Sequence, residues 1–261
     1  MKVGINWTGT RDLPAVRQMI ARGEVDFVEI MIDNFLSCSA GSLASVLAGT
    51  PCAFHIMNSR FLHQDEDVLT QIAEKINYFR GALSPIYISD HLGKFFYDGQ
   101  YFPQMVEVDY SRDLDNCSEK LARWQRTLGA DIFIENYPSI IPQSHKQAEF
   151  FKQLIERSSC NVLFDISNAT IAEMNVGESI VEWKPITTNT SHFHLGGYAE
   201  TTLIPHFLVD THDCNIDPDS IQRAKAILAD RTEITICVER DSNFDVENWV
   251  CEIERVRNLQ L

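Results

Sequence analysis

The chain has no long apolar run, no Cys-x-x-Cys pair and no excess of basic residues, and each absence removes a class of function. No stretch approaches the ~20 apolar residues that a membrane-spanning helix needs. Met1-Lys2-Val3-Gly4-Ile5 leads directly into a strand-like segment, without an apolar signal region. The seven cysteines (38, 52, 117, 160, 214, 237 and 251) are odd in number and scattered. That pattern fits a reducing compartment and argues against a disulfide framework or a thiolate zinc site. Only 22 Lys and Arg stand against 37 Asp and Glu, a formal net charge of −15. Such a field repels phosphate backbones and anionic lipid, so neither nucleic acid nor a membrane surface is expected as a partner. A cytoplasmic protein is the expectation. There is no Pro/Gly/Ser-rich linker, low-complexity tract or obvious repeat, so residues 1–261 are expected to form one domain.

What is present is alternation. Strand-like runs recur at Val3–Trp7, Asp26–Ile30, Cys52–Met57, Ile86–His91, Asp131–Tyr137, Asn161–Ser167, Thr190–Tyr198 and Thr235–Arg240. Between them lie segments of helical period at Leu13–Arg22, Val68–Leu83, Ser118–Leu128, Gln147–Arg157, Glu178–Thr187 and Asp219–Ala229, with Val246–Leu261 as a closing helix. Strand–helix alternation of this kind makes a parallel sheet, and eight units close into a (β/α)₈ TIM barrel, for which 261 residues is the usual size.

The strands end in unusual residues. They terminate at His55, His91, Glu135, Asp165, His194 and Glu239, and period 2 places three of these on the barrel-interior face with Phe133, Leu163 and Cys237. A lone His after an apolar run is usually a satisfied core histidine, and a lone Asp or Glu is usually a cap or turn residue. Six at equivalent positions are different, because they converge on the C-terminal mouth, where barrel enzymes carry their active sites. Three carboxylates and three imidazoles gathered there would repel and protonate unless cations neutralised them.

The segment Val209-Asp210-Thr211-His212-Asp213 adds an Asp and a His in a loop long enough to fold over the mouth. Asp241, two residues past Glu239, reads equally as a ligand or a turn residue, and Asn168 as an amide ligand, a hydrogen-bond partner or a helix N-cap. His192, one pleat below His194, suits a supporting role; His63, His145 and His206 read as solvated. Four imidazoles (55, 91, 194, 212) and at least four carboxylates (135, 165, 210, 239) exceed what one ion uses and suit a cluster of two or three. Nitrogen and oxygen ligands fit iron, zinc, manganese or cobalt. The residues therefore imply a multinuclear metallo-barrel and leave open oxygen-dependent oxidation on iron or hydrolysis on zinc, the latter in the manner of a trinuclear zinc phosphodiesterase of the endonuclease IV type.

The ordered set Ala-Phe-His55-Ile-Met, Ser-Asp-His91, Ile-Glu135-Asn-Tyr-Pro-Ser-Ile, Leu-Phe-Asp165-Ile-Ser-Asn168-Ala, His-Phe-His194-Leu-Gly-Gly-Tyr, Asp210-Thr-His212-Asp and Val-Glu239-Arg-Asp241 resembles the multinuclear non-haem iron-dependent oxidases. The opening Val-Gly-Ile-Asn6-Trp-Thr and Phe-Val-Glu29-Ile-Met-Ile-Asp33-Asn34 match as well, so the resemblance runs the length of the chain, and it is strongest to the members that act in methanobactin biosynthesis. It implies a (β/α)₈ fold, two or three irons in mixed Fe(II)/Fe(III) states and O₂ as co-substrate. It also implies oxidation of cysteines in a ribosomal precursor peptide to oxazolone and thioamide groups, yielding a copper-chelating peptide, with a small partner protein forming a heterodimer. The metal set would be His55, His91, Glu135, Asp165, Asn168, His194, Asp210, His212, Glu239 and Asp241, with Glu135, Asp165 and Asp241 closest to the chemistry and Glu135 bridging two irons.

Overall fold

The computed structural model describes residues 1–229 and 231–260. Eight parallel strands close into a barrel: β1 (Lys2–Trp7), β2 (Phe27–Met31), β3 (Cys52–Ile56), β4 (Ile88–His91), β7 (Phe133–Glu135), β8 (Asn161–Asp165), β9 (His192–Gly196) and β12 (Thr235–Glu239). They pair in chain order, and β12 returns to β1 with Gly4 opposite Cys237. Two hairpins are inserted at the C-terminal ends of barrel strands: β5 (Lys94–Tyr97) with β6 (Gln100–Val106) after β4, and β10 (Tyr198–Glu200) with β11 (Leu208–Asp210) after β9. The helices are α1 (Leu13–Arg22), α2 (Ala40–Leu47), α3 (Glu66–Leu83), α4 (Leu114–Leu128), α5 (Gln147–Ser158), α6 (Ile166–Val176), α7 (Lys184–Thr187), α8 (Pro218–Ile227) and α9 (Val246–Arg257).

Two cores hold the barrel. The larger lies between strands and helices, where outward-facing Ile5, Ile30, Phe54, Phe164 and Ile236 pack against helix residues such as Val16, Ile76, Trp124 and Trp249, all fully buried. Each large side chain of this kind stabilises by about 1.5–3 kcal/mol relative to exposure. The smaller fills the barrel's interior: Phe27, Ala53, Tyr87, Leu163 and Cys237, with Phe133 packed against them. Phe133, Leu163 and Cys237 thus sit directly beneath Glu135, Asp165 and Glu239, as the period-2 pattern requires. This apolar layer is the floor of the site above it.

The structure corrects several expectations. Asp131–Tyr137 narrows to three paired residues, Phe133–Glu135, and Thr190–Tyr198 divides into β9 and the start of a separate hairpin. Glu178–Thr187 is a 3₁₀ turn, Ile180–Trp183, followed by the single-turn α7, whose Pro185 lies in the first helical turn where a missing N–H costs nothing. The closing helix ends at Arg257 and runs on as a 3₁₀ turn to Gln260; its expected last residue, Leu261, lies outside the described residues. Asp210 is the last residue of β11 and so belongs to a strand rather than a loop.

Candidate metal centre

The mouth is built one strand at a time. His55, His91, Glu135, Asp165, His194 and Glu239 project from β3, β4, β7, β8, β9 and β12, five of them buried and His91 nearly so. The register aligns them in a ring, with His91 opposite Glu135 and Asp165 opposite His194. The β10–β11 hairpin then brings Asp210, and the residue after next, His212, to the same space.

Glu135 is central. Its Oε2 lies 3.6 Å from Nε2 of His55 and 3.1 Å from Nε2 of His91, while Oε1 faces Nδ1 of His194 at 3.5 Å. Ligand atoms of His55, His91 and Glu135 all lie within 4.8 Å of one another, and the same holds for Glu135, Asp165, His194 and Glu239. Glu239 occupies a second junction: Oε2 is 3.1 Å from Nδ1 of His194 and 3.6 Å from Nε2 of His212, which is 2.7 Å from Oδ1 of Asp210.

In each of the four imidazoles the nitrogen facing away from the ring of carboxylates meets an oxygen that can only accept, or already donates elsewhere. Nδ1 of His55 meets Ser89 Oγ at 2.8 Å, and that hydroxyl is committed as a donor to the Phe54 carbonyl. Nδ1 of His91 meets the Ile56 carbonyl at 3.2 Å, Nε2 of His194 meets Oε2 of Glu29 at 2.9 Å, and Nδ1 of His212 meets Oδ2 of Asp241 at 3.3 Å. These partners fix the N–H on the far nitrogen, so each neutral ring turns a lone pair into the mouth.

The opposing atoms are equally exposed to one another. Among the described residues, Oε2 of Glu135, Oδ2 of Asp165, Oδ1 of Asn168, Nδ1 of His194, Oδ1 of Asp210, Nε2 of His212 and Oε2 of Glu239 are buried without a hydrogen bond. Buried polar atoms are almost always satisfied, and seven unsatisfied in one place call for a ligand. With protons alone the set is frustrated. Burial, reinforced by Glu135 and Glu239, holds the Asp165 carboxyl well above its ordinary range. Burial and neighbouring His91 push His55 down to about 4. Burial works against charge on His91, yet Glu135 lifts it to about 9. Converging lone pairs, mixed nitrogen and oxygen donors and unpartnered buried atoms together fit divalent or trivalent cations.

Asp165 does two jobs at once. Its Oδ1 accepts from the backbone N–H of Ser167 and Asn168 and caps α6, leaving Oδ2 to face the site. Asn168 is therefore inside the helix rather than its cap; it donates from Nδ2 to Glu135 Oε1 at 3.2 Å and leaves Oδ1 unpartnered. Asp241 stands behind His212 and accepts from Asn6 Nδ2 at 2.9 Å, the position of a carboxylate that orients an imidazole.

Two supporting residues were not legible as such. Glu29 lay in a matching motif but not among the expected ligands, because β2 delivers it one pleat deeper, where it joins His194 to the Tyr87 hydroxyl. Ser89 is an ordinary buried hydroxyl in sequence. Alternation did carry the signal for both: Glu29 lies two residues after interior Phe27, and Ser89 two before His91. His192 stacks on Tyr87 at 4.3 Å and bonds Thr235 Oγ1, one link further from the mouth, while His63, His145 and His206 are exposed.

A closed parallel barrel with a buried imidazole–carboxylate cluster at its C-terminal mouth defines the class: a TIM barrel with a candidate metal site. The fold resembles solved structures at low sequence identity, among them a D-allulose 3-epimerase from Methylomonas sp. (TM-score 0.65, 12% identity, 100% of this chain and 97% of that one). Another is a probable 3-DHS dehydratase from Bacillus anthracis (TM-score 0.63, 10% identity, 99% of each). Residues 2–261 match the family described as RiPP precursor modification enzyme MbnB/TglH/ChrH, and the chain belongs to that family. Relatives include UPF0276 proteins of Acaryochloris marina (25% identity, 74% of this chain and 72% of that one) and Rhizorhabdus wittichii (24%, 90% and 86%). Among the described residues no helix is long and apolar enough to cross a membrane.

Proposed function

We propose that this chain is an iron- and O₂-dependent oxidase that converts cysteines of a ribosomal precursor peptide to oxazolone and thioamide groups, as in methanobactin biosynthesis. The observation that carries this reading is the four-histidine arrangement: every imidazole is locked with its lone pair toward carboxylates that lack partners of their own. Membership of a peptide-modifying family names the substrate class.

Three positions account for the donors. His55, His91 and Glu135 would hold one iron; Glu135, Asp165, His194 and Glu239 a second; and Asp210, His212 and Glu239 a third, with Asn168 adjoining the second. Glu135 would be shared by the first two and Glu239 by the latter two. Iron bound there supplies oxygen activation and electron transfer that side chains lack. The protein's part is to fix the donors, through Ser89, Glu29 and Asp241 behind the rings, and to seat the peptide. None of the described residues lining the mouth is a cysteine, so a substrate thiolate meets no protein thiol in that lining. A partner protein that forms a heterodimer and presents the peptide completes the proposal.

The runner-up, a zinc phosphodiesterase of the endonuclease IV type, shares fold and donor types. It is disfavoured because none of the described mouth-lining residues is Lys or Arg and the chain carries −15 charges, leaving little to bind a phosphate backbone. Reconstitution with iron under nitrogen, followed by O₂ and a Cys-containing peptide, tests the proposal by mass spectrometry. Loss of hydrogen from the cysteine unit, dependent on iron and O₂, is expected; an unchanged peptide, or turnover with zinc alone, would overturn it.

A further inference from the structure

Beside the mouth, a space of about 520 Å³, lies a second cleft of about 750 Å³. The cleft lies between the β5–β6 hairpin and segment 137–144, and Gln104, Met105, Tyr137 and Ile140 line both spaces, so the two adjoin. Its size is that of a ligand site rather than a packing defect.

The walls are apolar and exposed. Phe102, Val106, Ile140 and Ile141 line the cleft and are 36, 38, 40 and 62% exposed. Large apolar side chains grouped on the surface of so acidic a chain cost solvation with no return from its own core, the usual mark of a surface that meets something else. Charge does not dominate: Lys94 pairs with Asp113, and Arg112 lies 3.8 Å from Asp109. Polar residues such as Gln104, Ser111 and Gln143 lie between the apolar ones. Glu107 accepts from the Tyr110 and Ser139 hydroxyls through Oε1, while Oε2 is buried without a hydrogen bond.

Residues of β6 form part of the cleft wall. Among the described residues β6 pairs with β5 only, and the Met105 carbonyl accepts from the Tyr137 hydroxyl at 3.1 Å. Pro103, in the middle of β6, has no N–H to offer, so an added strand could not form an unbroken ladder there. Recognition along this edge falls to side chains.

We infer that this cleft seats the stretch of precursor peptide flanking the modified residue, extended along β6, with apolar side chains against Phe102, Val106 and Ile141. The inference rests on the peptide-oxidase reading for the occupant, because the family acts on peptides and the cleft adjoins the mouth. Alternate side chains of an extended chain fall on one face about 6.6 Å apart, which suits apolar contacts spaced along the wall at Phe102 and Val106. A peptide with apolar residues beside its reactive one therefore binds more tightly, and with little dependence on salt.

The test uses the whole iron-loaded protein and two fluorescein-labelled hexapeptides, one with a Cys preceded by three apolar residues and one with three serines in their place. Fluorescence anisotropy should show the apolar peptide binding about tenfold more tightly. The Phe102→Ser/Ile141→Ser variant should bind both alike while keeping its iron; the single Ile141→Ser change, at a mostly exposed side chain, gives a milder version that is expected to fold. Equal binding of the two peptides by the wild type, or a preference that survives in both variants, would overturn the inference. So would variants that keep the preference but no longer hold a co-expressed partner protein, since the cleft would then be a protein-docking face. Intact peptide preference without any oxidation would instead count against the oxidase reading and leave the cleft assignment standing.

Discussion

Nε2 of His194 and Oε2 of Glu29 are 2.9 Å apart in the fully buried interior of the barrel, and the same oxygen accepts from the Tyr87 hydroxyl at 2.5 Å. The carboxylate fixes the tautomer of His194 and aims Nδ1 between Glu135 and Glu239. Such partners of a ligating histidine typically govern metal affinity by 10–100-fold, about 1.4–2.7 kcal/mol. Glu29→Gln retains the shape and loses the charge. It should lower metal affinity within that range, read by competition with a chromophoric chelator, with the circular dichroism spectrum unchanged. Unaltered affinity would remove Glu29 from the account.

Gly196 predicts a more local defect. A Cβ there would lie 2.4 Å from Cδ2 of the His212 ring, so the imidazole occupies space that only glycine leaves. Gly196→Ala should push the ring off Asp210 and Glu239 and empty the outer position while His55, His91 and Glu135 keep theirs. His212→Ala should do the same. Metal analysis should show partial loss in both variants; loss of every metal in either would contradict it.

Replacing Glu135 should be worse. Glu135 contacts His55, His91 and His194 through its two oxygens, so Glu135→Ala removes a donor from two positions. Both inner metals should be lost and turnover abolished, whereas His55→Ala or His91→Ala should chiefly empty the first position. All three variants should keep the barrel, because the apolar floor of Phe27, Tyr87, Leu163 and Cys237 is untouched.

Much of the architecture was legible because barrel strands combine apolar outward faces with interior residues at period 2, and all eight strands were visible that way. Their ends were less so: Asp131–Tyr137 looks extended throughout, but only three residues find a neighbour on both sides. The two hairpins went unseen although Tyr97-Asp98-Gly99-Gln100 carries a turn signal, with Asp98 and Gly99 both at positive φ. At the site, residues with chemically marked side chains at strand ends were readable. Glu29 and Ser89 were not singled out, because a supporting role depends on which ring nitrogen they meet, and no linear pattern encodes that.

Removing the metals should destabilise the fold. Glu135, Asp165 and Glu239 are buried together, and cations that bind only the folded chain raise its stability by mass action. Exhaustive chelation should lower the thermal midpoint by several degrees, since about 1 kcal/mol corresponds to roughly 2–4 °C in a chain of this size. The Glu135→Ala protein, already short of metal, should respond less. A chelator-insensitive midpoint in the wild type would argue that the carboxylates share protons instead.

The central claim is a multinuclear iron cluster in the barrel mouth. Its most direct test is elemental analysis of protein purified without oxygen from iron-supplied cells, combined with Mössbauer spectroscopy on iron-57. Two or three irons per chain, with spectra that show magnetic coupling between neighbours, are predicted. A single uncoupled metal, or zinc in place of iron after growth with both, would contradict the account.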